Sequence, residues 1–173
     1  MSLSCIPGLD ASLDLDDELE EGQRRAALAR WITDERNVLT WRSIVNRVWH
    51  YHFGRGIVDT PNDFGAMGSS PTHPDLLDWL AIWFRERGSM KQLHRLIVTS
   101  SVYRQSAQHV PDYALTDADN HSLWRMNRKR LDAESVRDAI LQISGKIDLT
   151  MGGPSVKQFV QSKGIHITPI VDY

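Results

Sequence analysis

Between Asn46 and Phe84 the chain reads NRVWHYHFGRGIVDTPNDFGAMGSSPTHPDLLDWLAIWF, and this stretch limits what the remainder can fold into. Trp41, Ile44, Val45, Val48 and Trp49 recur at i, i+3, i+4, i+7 and i+8, the spacing that gathers one face of an α-helix. Leu76, Leu77, Leu80, Trp83 and Phe84 form a second such face. The first helix is expected over 38–53, with Asn37 as its cap and Gly54 as its left-handed stop. The second is expected over 73–87, with Thr72 and Asp75 spaced as a capping box, Pro74 in the first turn and Gly88 at its end. Between them lies a glycine-punctuated connection, 54–73. A loop of that length in a compact domain either carries function or packs as an ordered excursion. Ile57, Val58, Phe64 and Met67 supply apolar anchors, so an ordered loop folded across one face is expected. Four of the six tryptophans (Trp41, Trp49, Trp79, Trp83) lie in or just before the stretch, with three of the seven histidines.

The flanking segments also read as helices. Ala26, Leu28, Ala29, Trp31 and Ile32 give a moderate stripe over 21–33. Ser89 and Gln92 open a helix over 90–105 with Leu93, Leu96 and Ile97 inward, and Gly88 forces a helical hairpin before it. Residues 106–120 read as loop, with Asn120 opening a short helix to Trp124. Asp132 caps a helix over 132–144 whose stripe is Val136, Ala139, Ile140 and Ile143, and Gly145 stops it. A helical turn is expected near 155–162. The fold class is therefore all-α: about five helices around a tryptophan-rich core with the 54–73 loop across one face. The expected organisation is a linker or leader over 1–20, a helical domain over 21–162, and a tail over 163–173. The acidic run Asp14, Asp16, Asp17, Glu18, Glu20, Glu21 reads as solvated linker. The Met-Ser-Leu start and the abrupt Val171-Asp172-Tyr173 end suggest an excised fragment.

Composition removes several function classes. At 41% hydrophobic and 24% charged the chain is ordinary for a globular protein. Its net charge of -2 gives no general case for nucleic acid. A single cysteine, Cys5, rules out an internal disulfide framework and any CxxC site. No apolar run reaches the roughly 20 residues that cross a bilayer.

Two clusters of polar residues are candidates for a site. Asn46 and Arg47 sit among the apolar positions of the 38–53 helix. Arg55, Asp59, Asp63 and His73 sit in or beside the loop. Arg130, Glu134, Arg137 and Asp138 flank the start of the 132–144 helix. Buried charges are costly unless paired, so these groups are expected to find one another, either as a structural clasp for the loop or as an arginine-lined anion pocket; the clasp is the simpler expectation. The second cluster is His50, His52 and His73, whose imidazoles with the loop aspartates would suit a transition metal. Yet His50 and His52 are two apart and cannot share a helix face, and no HExxH is present. The expectation is therefore no metal and no cofactor in this chain. Ser69 and Ser70 lack a nucleophile elbow and read as turn formers. The run Arg125, Arg128, Lys129, Arg130 beside Trp124 is short, and is expected to pair internally or face water rather than bind nucleic acid.

Four segments, VNRVWHYHFGRGIVDTPNDFG, PTHPDLLDWLA, MKQLHRLIVTSSVYRQS and RLDAESVRDAILQISG, in that order, resemble the C-terminal domain of unknown function in large planctomycete secreted proteins. The resemblance covers roughly residues 24–160. Those proteins often carry a planctomycete-type cytochrome c domain and a second domain of unknown function upstream. It implies an extracytoplasmic or periplasmic parent, with the parent's other domains as partners. No CxxCH occurs here, so any haem would lie elsewhere in the parent. The leading functional expectation is a non-catalytic packing or interaction module. The alternative is a hydrolase-like or binding domain for an extracellular substrate such as a carbohydrate, with its site at the 54–73 loop. An interaction module should present an exposed apolar patch, and an enzyme should bring Asp63 and His73 together in a cleft.

Overall fold

A computed structural model describes residues 6, 8, 9 and 20–152. The described residues form seven helices and no strand, so the chain is all-α, as its periodicity indicates. The helical turn expected near 155–162, the 163–173 tail and the acidic run up to Glu18 lie outside them. The chain divides into two compact units, Met1–Lys129 and Arg130–Tyr173, whereas the sequence reading takes 21–162 together.

The first unit holds α1 (Glu21–Ile32), α2 (Val38–Phe53), α3 (Pro74–Arg87), α4 (Met90–Thr99), α5 (Ser101–Arg104) and α6 (Pro111–Thr116). α2 packs chiefly on α3 and also on α4. The core is built from Val45, Val48, Trp49 and Phe53 of α2, Leu77, Leu80 and Phe84 of α3, and Leu93 and Ile97 of α4, with Ile57 and Val58 of the loop inserted among them. Burying each such side chain contributes about 1.5–3 kcal/mol, so these few residues hold the unit together. Trp49 stacks on Phe53 at 4.1 Å between ring centroids, and Trp41 meets Phe84 edge-on at 6.2 Å. Trp83 is half-buried against the same cluster.

The termini of α2 follow the sequence signals. The Asn37 side chain accepts the Thr40 N–H, and Gly54 closes the helix at φ 79°, in the left-handed region. α3 begins differently. Thr72 does not cap it; the residue before Pro74 is His73, and its side chain makes no cap bond. Thr72 instead donates both its N–H, at 2.9 Å, and its hydroxyl, at 3.3 Å, to the Ile57 carbonyl. The expected cap is thus used to close the loop.

The expected helix over 90–105 is broken. Ser100 is extended (ψ 151°) between α4 and α5. Its hydroxyl donates to the Ile97 carbonyl at 2.6 Å and accepts the Tyr103 N–H at 3.3 Å. One hydroxyl thus ends one helix and caps the next, because serine offers the backbone an alternative to the helical ladder. Residues 106–120 contain α6 rather than loop throughout. The short helix expected from Asn120 is absent: Asn120 is buried at φ 56°. Its amide donates to the Arg125 carbonyl at 2.8 Å and to the Asn127 side chain at 2.9 Å. Asparagine tolerates the left-handed region better than most residues, and here it knots the 120–127 segment.

Two expected stripes face outward. α1 has no buried residue, and Leu28 and Ile32 are each 41% exposed. In the second unit, α7 (Ala133–Ile143) starts at the expected Asp132 cap, whose carboxylate accepts the Ser135 N–H. The Ser135 hydroxyl and backbone bonds hold that carboxyl below its usual value. The stripe of α7, however, is exposed at Val136, Ile140 and Ile143. Periodicity marks a face that prefers cover; it does not supply the cover.

Candidate functional site

The 54–73 loop is ordered by one buried amide. Asn46, fully buried on α2, accepts the Val58 N–H at 2.8 Å and donates to the Val58 carbonyl at 2.9 Å. An asparagine amide mimics a backbone partner, so Val58 is paired as if in a ladder. Gly56 passes close beside it: a Cβ there would lie 2.4 Å from the Val58 carbonyl oxygen and 2.8 Å from the Asn46 amide nitrogen. Further out, the Thr60 hydroxyl donates to the Asp63 carbonyl at 2.7 Å and accepts the Ser69 N–H at 2.9 Å. The Asp63 carboxylate takes the Gly65 N–H at 2.8 Å. Met67 is no anchor, being 91% exposed.

The charges expected in a buried network are distributed otherwise. Arg47 is exposed and reaches the Asn62 side chain at 2.9 Å. Arg55 and Asp59, four positions apart in the loop, are brought together at 2.9 Å. His73 meets the Thr72 hydroxyl at 3.0 Å, while Asp63 is engaged inside the loop. In the second unit Arg130 precedes α7, Glu134 lies in its first turn, and Arg137 pairs with Asp138 at 3.4 Å. Asn46 is thus fully buried and paired with the loop, Arg47 ties α2 to the loop from an exposed position, and Arg55 pairs with Asp59 within the loop. An amide needs no counter-charge, so only it could be fully buried at modest cost.

The histidines part in the same way. His50 keeps its Nδ1 buried without a hydrogen bond among the described residues, and His73 stays beside Thr72. His52 meets His94 of α4, a residue the sequence reading did not single out, with Nε2 2.7 Å from Nδ1. Tyr103 lies edge-on to His52 at 5.6 Å. Among the described residues no three metal-ligating side chains cluster. Burial, then the His94 ring, then Lys129, pull the His52 imidazole below the ordinary histidine value of 6.5. An unfolded chain therefore takes up that proton first. The contribution to stability is complete above about pH 6.5 and is lost as the pH falls toward the lowered folded value. Urea midpoints at pH 7.5 and pH 5.5 should drop more for the native chain than for His52→Gln; an equal drop would remove His52 as the cause.

Two surfaces remain once the loop's internal bonds are made. The first spans α2 and α3. Val38 (46% exposed) and Ile82 (48%) line a hollow of about 170 Å³ with Trp41 and Ala81. Glu35, Arg42, Asp78 and Arg85 surround it, and Arg42 bonds to Asp78 across the helix pair. Trp79, 52% exposed, sits three residues before Ile82, where neighbouring positions on a helix share a face. The inward face of α3, Leu76, Leu77, Leu80, Trp83 and Phe84, excludes Trp79, so its exposure agrees with the helix spacing.

The second surface is a cavity of about 500 Å³ walled by Phe53, Gly54, Arg55, Ala107, His109, Arg125, Asn127, Arg128 and Lys129. Arg125, Arg128 and Lys129 of the basic run, expected to pair internally or face water, form part of this wall. Lys129 donates to the Tyr51 carbonyl at 2.8 Å and Asn127 to the Phe53 carbonyl at 3.1 Å. Arg128 reaches the Ala107 carbonyl at 3.3 Å. The Arg125 guanidinium lies 5.0 Å from the Trp124 ring centre.

Residues 24–168 match a family described as PSD1, protein of unknown function (DUF1553). No curated protein and no solved structure matches the chain.

Proposed function

The chain belongs to the PSD1 family of proteins of unknown function (DUF1553), and we propose that it serves as a non-catalytic interaction module of a larger protein. The observation that carries this reading is the polar-rimmed apolar hollow of Val38 and Ile82, with the exposed Trp79 one turn before Ile82 on α3. Large apolar side chains grouped on an exposed face, with charges around them, are the chemistry of a protein–protein contact. A tryptophan there is the kind of residue on which binding energy concentrates. The partner we propose is another domain of the same parent. The resemblance of the four sequence segments supports an extracytoplasmic parent of the planctomycete type with a cytochrome c domain. No helix among the described residues is long and apolar enough to cross a membrane.

The carbohydrate-directed alternative, with its site at 54–73, is less well supported. Asp63 bonds within the loop and His73 bonds to Thr72, so the pair that an enzyme would bring together is engaged separately. The test is association in trans between this chain and the remainder of its parent protein, measured by sedimentation velocity. Trp79→Ser and Ile82→Ser should each weaken it at least tenfold while leaving the unfolding free energy within about 0.5 kcal/mol, as surface substitutions do. Unchanged association in both variants would place the contact elsewhere.

A further inference from the structure

The 500 Å³ cavity carries an inference independent of that contact, because none of its wall residues belongs to the α2–α3 face. Its wall holds Arg55, Arg125, Arg128 and Lys129, and no carboxylate. Asp59 pairs with Arg55 from outside the wall. Three cations are left facing one hollow in a chain whose net charge is -2. Like charges held close repel, so such a grouping calls for a counter-charge.

Part of it comes from α2. Lys129 and Asn127 donate to the last carbonyls of that helix, the end where its dipole is negative. That explains Lys129. It does not explain Arg125 or Arg128, whose bonds and contacts run to Ala107 and Trp124. The Arg125 Nε is also buried with no hydrogen-bond partner among the described residues, a donor whose isolation is costly. These side chains are restrained before any ligand arrives, which lowers the entropic cost of binding one. Arg128 keeps its two terminal nitrogens for a ligand after its Nε has bonded to Ala107, and a guanidinium fork suits oxyanions.

We propose that this cavity is a binding site for a phosphate or sulfate group. The charge of the wall exceeds what a single carboxylate would balance, and an oxyanion with three or more terminal oxygens can engage several donors at once. The cavity is also larger than one such ion, so the group is carried on an organic body.

The test is titration of the whole chain at constant ionic strength with sodium phosphate, sodium sulfate, phenyl phosphate and sodium acetate. The readout is the ¹⁵N resonances of the Asn127 side chain and the Trp124 indole. Phosphate and sulfate should shift them saturably, with phenyl phosphate tighter than inorganic phosphate and acetate at least tenfold weaker. Phenyl phosphate no tighter than phosphate would reject the organic body. Arg128→Gln and Arg125→Gln should each weaken phosphate about tenfold. Neither residue bonds to the end of α2, so both variants retain that cap, and a native-like spectrum verifies folding. Shifts that stay linear to the highest concentration, that match those given by acetate, or that survive both substitutions would overturn the assignment. Association of the α2–α3 face is measured separately, so either result can fail alone.

Discussion

Asn46→Ala is expected to destabilise the first unit by roughly 3–5 kcal/mol, a large share of what holds a domain of this size together. The side chain is fully buried and makes two bonds to Val58, which is itself 2% exposed. Alanine would leave a buried N–H and a buried carbonyl unpaired, and each such group costs about 1–3 kcal/mol. Two comparisons identify the cause. Asn46→Asp retains an acceptor for the Val58 N–H but sets a carboxylate against the Val58 carbonyl, so it should be no better than alanine. Arg47→Ala, the next residue but exposed, should cost less than about 1 kcal/mol. Urea unfolding at pH 7.5 measures all three. An Asn46→Ala midpoint close to that of Arg47→Ala would show that the loop is not held by this amide.

Gly56→Ala should cost about 3 kcal/mol for the opposite reason, too many atoms rather than too few bonds. Its Cβ would stand 2.4 Å from the Val58 carbonyl oxygen and within 3 Å of both Asn46 amide atoms. Overpacking typically costs about 1–3 kcal/mol when flexible side chains can yield. Here the obstacles are a backbone oxygen and an amide held by two bonds, so the upper end applies. The two substitutions strike the same contact and should not add. With Asn46→Ala already present, Gly56→Ala meets only the Val58 carbonyl and should lose about 1 kcal/mol of its effect, as coupled neighbours do. Strict additivity in a double-mutant cycle would mean that the glycine and the amide act separately.

The parts of the fold that could be read from the sequence are those whose determinants are local. The caps and stops of α2 follow from Asn37 and Gly54, and the inward face of α3 from Leu77, Leu80 and Phe84, because spacing and turn chemistry act within a few residues. What could not be read depended on a partner distant in the chain. Thr72 has the spacing of a cap, yet its hydroxyl goes to Ile57, fifteen residues back. Ser100 carries a normal helix pattern on both sides, and only its competing hydroxyl bonds show the break. For the site, the loop and Asn46 were visible, since a polar residue within an apolar stripe must find a partner. The split among the charged residues was not, because a residue's position on a helix does not fix how far its long side chain reaches into water. His52 stood out, but its partner His94 lies forty-two positions on. The basic run was equally visible; its destination required knowing that 125–129 returns to the end of α2.

That return also affects the order in which the molecule assembles. Asn127 and Lys129 reach carbonyls 74 and 78 positions earlier in the chain, while α2 and α3 are joined by a single loop. Closing the longer loop costs more chain entropy and gains little until the shorter-range pairs are in place. The segment that walls the cationic cavity is therefore among the last to dock. Weakening it should hasten unfolding rather than slow folding, and the cavity would open and close on a native core that stays formed.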